Sequence, residues 1–113
     1  MFRDSVYLLD ILKAAKLALN YLEGKTKEKF FQDTQCQDAV IRRLEIIGEA
    51  GGRVSVATTT KFPSLPWKKM VSMRNIMIHE YEDVDLSIVW DTVQNDLPPL
   101  ITLLEPLIPK EEA

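Results

Sequence analysis

Apolar residues recur at helical spacing along most of this 113-residue chain. Between Ser5 and Leu22, the positions Leu8, Leu9, Ile11, Leu12, Ala15, Leu19 and Leu22 follow the helical period. Gly24 stands where a helix-terminating glycine is expected. Thr26 is placed to cap a short second helix or turn, with the aromatic pair Phe30 and Phe31 expected to point inward. The stretch "TQCQDAVIRRLEIIGEAGGRVSVAT" puts Val40, Leu44, Ile47 and Val54 on one stripe, with Ile41 beside it. Gly48, Gly51 and Gly52 interrupt that stripe, and each costs roughly 1 kcal/mol in a helix interior relative to alanine. One reading ends the helix at Gly51-Gly52; the pattern favours the other, a helix that continues through them, its small residues letting a neighbour come close.

"KFPSLPW" holds two prolines and reads as a loop, with Pro66 at the first turn of a helix from about Trp67 to His79. "EYEDVD" breaks that helix. Asp85 can cap a fifth one through "LSIVWDTVQNDLPPLITLLEPLI", which Pro98 and Pro99 should kink or split in two. No stretch alternates convincingly with period 2. The expectation is one all-α domain over residues 1–113, an antiparallel bundle of four to five helices.

Fourteen Lys and Arg against seventeen Asp and Glu give a net charge of −3, so the chain as a whole is no basic nucleic-acid binder. Cys36 is the single cysteine, which forbids an intrachain disulfide and reads as a small buried hydrophobe. The opening "MFRDSVYLLD" lacks a signal-peptide core, and no run reaches the roughly 18 apolar residues of a membrane span. The expected location is cytoplasmic, with no membrane partner.

The chemistry concentrates in "RNIMIHEY", residues 74 to 81, which contains the only histidine. On a helical wheel Met70, Met73, Ile76 and Met77 form the stripe expected to pack into the bundle. Arg74, Asn75, Ile78 and His79 are expected on the opposite side. By spacing alone, His79 reads first as a helix-ending residue favoured by the C-terminal dipole. Tyr81 alone reads as a capping aromatic, and one histidine among Glu80, Glu82, Asp83 and Asp85 has no metal-ligand spacing. A guanidinium fork beside an imidazole nevertheless suits cleavage of an RNA phosphodiester. That reaction needs two proton-transfer groups, which a symmetric dimer of a one-histidine chain would supply. Ile78, apolar in a polar row, fits a surface that meets its own copy.

Arg74, His79 and Tyr81 together match the R-x4-H-x-Y motif of the HepT-like toxins, a branch of the HEPN superfamily. "LLDILKAAKLALNYLEG", "RRLEIIGEA", "PWKKMVSMRNIMIHEY" and "VDLSIVWDTVQNDLPPL" also resemble that family in order and spacing, so the likeness covers nearly the whole chain. It implies an HEPN-like helical homodimer acting as a metal-independent endoribonuclease without cofactor, the toxin of a type VII toxin–antitoxin system. Arg74 and His79 would be its catalytic pair, with Asn75 the accompanying polar residue. The implied partner is an MNT-type nucleotidyltransferase antitoxin that adenylylates Tyr81. A bulky anionic nucleotide two residues from His79 would block the cleft and repel RNA phosphates.

RNA affinity is driven by phosphate neutralisation, which the negative net charge opposes. Lys68 and Lys69, just before the motif, and Arg42 and Arg43, on the third helix, are the candidates for a local positive patch. Two other readings stand beside this one. The chain could be a non-catalytic nucleotide-binding or scaffold subunit of a nucleotidyltransferase pair. Alternatively, the antitoxin could neutralise by binding and occlusion alone.

Overall fold

In the computed structural model the residues described are 2–79 and 85–109, with no account of the side chains of Phe2 and of positions 75 to 79. Among these residues seven α-helices follow in order: α1 (Phe2–Leu22), α2 (Lys27–Phe31), α3 (Thr34–Arg53), α4 (Val56–Lys61), α5 (Trp67–His79), α6 (Leu86–Asp91) and α7 (Leu97–Leu104). A π-helical turn, Thr92–Asp96, joins α6 to α7, and a short 3-10 turn, Glu105–Leu107, follows α7. No strand occurs among the described residues, and none of their helices is long and apolar enough to cross a membrane.

Local chemistry sets these boundaries. Gly24 has φ +77°, the left-handed conformation that closes α1. The Thr26 side chain accepts from the Lys29 amide at the start of α2. Asp33 does the same for α3 through Cys36, and Asp85 for α6 through Ser87 and Ile88. Pro98 and Pro99 each lack an N–H and sit in the first turn of α7. The chain splits its last long helix just before them, and the Leu97 amide reaches back to the Thr92 carbonyl across the π turn.

Helix α3 is central, packed between α1 and α5. Ser55 meets Asp4 and Cys36 meets Tyr21, so α1 and α3 run antiparallel. The core joins Ile11, Leu12, Ala15 and Ala18 of α1 to Val40, Leu44 and Ile47 of α3. Met70 and Met73 of α5 complete it with Val89, Val93, Leu97, Leu100 and Leu104. Alanines at 14, 15 and 18 let α1 lie close to its neighbours.

Three sequence readings need adjustment. Phe30 is fully buried against Trp90, with ring centroids 5.7 Å apart, but Phe31 is 41% exposed. Consecutive residues on a five-residue helix lie about 100° apart, so only one of the pair can enter the core. The helix through the glycines does continue, but it ends at Arg53, and Val54 is buried as its extended C-terminal residue. A short helix not read from the pattern, α4, then follows. Its cap is Ser55, whose side chain accepts from the Thr58 amide.

Asp4 anchors that helix. Its carboxylate accepts from the Ser55 amide at 3.0 Å, the Ser55 hydroxyl at 2.6 Å and the Thr58 hydroxyl. The Ser55 hydroxyl, the Thr58 hydroxyl and the Ser55 amide together hold its carboxyl down at about 2. Cys36 is buried with its Sγ 3.7 Å from the Tyr21 carbonyl oxygen, and burial pushes the thiol up, away from thiolate reactivity.

Candidate active site

Helix α5 carries Arg74, Asn75 and His79. It begins where the Met70 amide bonds back to the Pro66 carbonyl, and the Trp67 indole N–H fixes the preceding loop by donating to the Phe62 carbonyl at 2.9 Å. Met70 and Met73 are buried as the stripe requires. The remainder of the stripe, Ile76 and Met77, falls where side chains lie outside the described residues. The same holds for the side chains of Asn75, Ile78 and His79, and Tyr81 lies outside altogether.

Arg74 departs from the wheel reading. Its side chain is exposed, but its backbone is not on the side opposite the methionines. A four-residue step from Met70 turns the wheel by about 400°, which leaves Arg74 only about 40° from it. The glycines of α3 take advantage of that position. A Cβ built on Gly48 would collide with the Arg74 Cβ and stand 2.5 Å from its amide nitrogen and 2.8 Å from its Cα. One turn away, a Cβ on Gly51 would meet the Met70 Cβ at 3.2 Å, and one on Gly52 would meet a Val71 methyl at 3.9 Å. The order Gly51–Met70, Gly48–Arg74 makes α3 and α5 antiparallel. Arg74 is thus held by its main chain in a seam while its guanidinium extends outward.

Around it lies a recess of about 200 Å³ lined by Gly48, Glu49, Gly52, Arg53, Val71 and Arg74. Arg53 was not foreseen from the sequence. The signal that could have found it is its place at the end of the glycine-bearing helix, in the turn that follows Gly48. Neither Arg53 nor Arg74 has an ion pair among the described residues. The Glu49 carboxylate in the recess lies 3.7 Å from Arg42 Nη1, which partly offsets its charge.

The four candidate RNA-binding cations do not converge there. Arg42 pairs along its own helix with Glu45 and Glu49. Arg43 is half-buried, and its Nε has no hydrogen-bond partner among the described residues. Lys69 Nζ lies 3.3 Å from Asp96, tying α5 to the π turn. Lys68 is exposed and lines a larger apolar groove, with Val56, Pro63, Leu65, Trp67 and Val71, that borders the Arg74 recess at Gly52 and Val71. Among the described residues no group of three or more His, Cys, Asp or Glu side chains stands together as metal ligands.

Residues 11–107 match the family described as "Ribonuclease HepT-like". A protein of Thermococcus cleftensis named "Probable ribonuclease HepT" is 40% identical over 94 residues, 83% of this chain and 86% of its own. "Putative RNase MJ1380" of Methanocaldococcus jannaschii is 38% identical over 94 residues, again 83% of this chain and 86% of its own. "Gamma-glutamylcyclotransferase and putative RNase MJ0434" of the same organism is 42% identical over 95 residues, 84% of this chain. The match covers only 43% of that longer relative. No solved structure matches the chain.

Proposed function

Since the chain belongs to the ribonuclease HepT-like family, we propose that it is a metal-independent endoribonuclease, the toxin of a type VII toxin–antitoxin pair. The observation that carries this reading is the placement of Arg74. Its backbone is locked against Gly48, its guanidinium is exposed, and its helix continues to the chain's only histidine. The names of the relatives, RNase and ribonuclease HepT, support the reaction class.

In this reaction the RNA 2′-hydroxyl loses its proton and its oxygen attacks the adjacent phosphorus. The P–O5′ bond breaks as the 5′-oxygen takes up a proton, leaving a 2′,3′-cyclic phosphate and a 5′-hydroxyl. His79 is the proton-transfer residue, and a second His79 comes from the other chain of a twofold dimer. Arg74 holds the phosphate and stabilises the charge that builds on its non-bridging oxygens. Asn75, next in sequence, supplies a further hydrogen bond at the site.

Control belongs to Tyr81. An MNT-type nucleotidyltransferase antitoxin transfers adenylate from a nucleoside triphosphate to its phenol, releasing pyrophosphate, and so closes the cleft. The direct test is expression of wild type and His79→Ala without any partner, following growth and RNA integrity. The wild type should arrest growth and fragment RNA, and His79→Ala should do neither. Growth arrest by both alike would remove the basis of this reading.

A further inference from the structure

The three glycines that α3 turns toward α5 are not equivalent. At Gly52 an added Cβ meets Val71 at an ordinary 3.9 Å, and at Gly51 it presses on the Met70 side chain at 3.2 Å. Only at Gly48 is the obstacle main chain as well as side chain, with the Arg74 nitrogen at 2.5 Å and Cα at 2.8 Å. A Cβ moves only with the main chain that carries it, so both contacts press on the backbone of α5, by a few tenths of an ångström at Gly51 and far harder at Gly48. A glycine in mid-helix is less favourable than alanine, and α3 keeps one at the level of Arg74.

We propose that Gly48 is a positioning residue of the cleavage site, its missing Cβ setting where α5 presents Arg74. The inference rests on the reading of Arg74 as the residue that holds the scissile phosphate. Ordinary Cβ contacts begin near 3.4 Å, so any residue larger than glycine at 48 drives the Arg74 backbone outward by roughly 3.4 − 2.5, or 0.9 Å. Displacements of about 1 Å can cost on the order of 10²-fold in rate when a catalytic group must meet a reacting atom. The shift acts on the guanidinium directly, because the Arg74 Cα itself moves. Gly48 and Arg74 also line the same recess, so the space beside the guanidinium changes with it.

The test compares Gly48→Ala, the milder wedge Gly51→Ala and the remote core variant Phe30→Ala. Each is assayed well below its melting temperature on an RNA that the wild type cleaves. Affinity is measured separately with the 2′-O-methyl form of that RNA, which has no nucleophile. Gly48→Ala should be folded, bind the analogue within about two-fold of wild type, and lose on the order of 10²-fold in kcat. Gly51→Ala should lose kcat several-fold, and Phe30→Ala should melt earlier yet keep the wild-type kcat. A folded Gly48→Ala with wild-type kcat overturns the inference, as does a Phe30→Ala whose kcat falls in step with its stability like the glycine variants. Should Gly48→Ala not fold, Gly51→Ala decides: wild-type kcat in that variant overturns the inference. An inactive wild type is a distinct result, which removes the nuclease reading on which the inference stands.

Discussion

The Asp4 carboxylate accepts a 2.6 Å hydrogen bond from the Ser55 hydroxyl, joining the first turn of α1 to a cap 51 residues away. The same carboxylate takes the Ser55 amide and the Thr58 hydroxyl, so one acidic side chain organises the start of α4. Its pKa falls from the ordinary 3.8 to about 2 in the folded chain, the ionised form being the one that these donors favour. A lowered folded-state value adds stability that is complete above about 3.8 and is lost as pH falls towards 2. Thermal melts of the wild type should show that loss below pH 4. Asp4→Asn should melt earlier at neutral pH and show a weaker acid dependence. An acid profile identical in the two proteins would deny Asp4 this role.

The aromatic pair on α2 gives a second stability test. Phe30 is completely buried and packs on Trp90, so Phe30→Ala should cost about 3–5 kcal/mol. Phe31 is exposed, with Lys27 Nζ 5.9 Å from its ring centre, and Phe31→Ala should change stability by no more than about 0.5 kcal/mol. Denaturant titrations of the two variants measure this difference, and equal losses would contradict the docking of α2.

The all-helical class and most helix boundaries were legible in the sequence because local chemistry specifies them. Thr26, Asp85 and Gly24 act within a few residues of their own positions, and the apolar stripes of α1 and α3 follow one period. The reading failed where a distant partner decides. Nothing near Ser55 announces that Asp4 completes its cap, so α4 was invisible. A wheel drawn for α5 alone could not show which flank α3 would cover. The glycines announced a close approach, but only the structure identifies Arg74 as the residue approached. The candidate residues themselves were found by motif, and Arg53 was missed because it belongs to another helix and joins Arg74 only through folding.

Association should depend on Ile78 of α5. In the proposed dimer Ile78 lies near the twofold axis, so Ile78→Glu would bring two carboxylates together there without compensation. Analytical ultracentrifugation should show a wild-type dimer at micromolar concentration and a weakened one for Ile78→Glu. A monomeric wild type would contradict the two-chain site.

Tyr81 tests control separately from chemistry. Co-expression with a cognate nucleotidyltransferase should add one adenylate to the wild type and abolish its toxicity. Tyr81→Phe should keep at least part of its nuclease activity and escape covalent neutralisation. Intact-mass spectrometry reads the result. Complete neutralisation without an added adenylate would mean that the antitoxin acts by binding alone.

The most direct measurement is cleavage of RNA by purified wild type, Arg74→Ala and His79→Ala in the presence of a metal chelator. The Arg74 side chain is exposed, so Arg74→Ala should fold and melt like the wild type. The wild type should cut and leave 2′,3′-cyclic phosphate ends, and both variants should be inactive while still folded. Full activity of either variant, or wild-type cleavage that depends entirely on a divalent ion, would contradict the account.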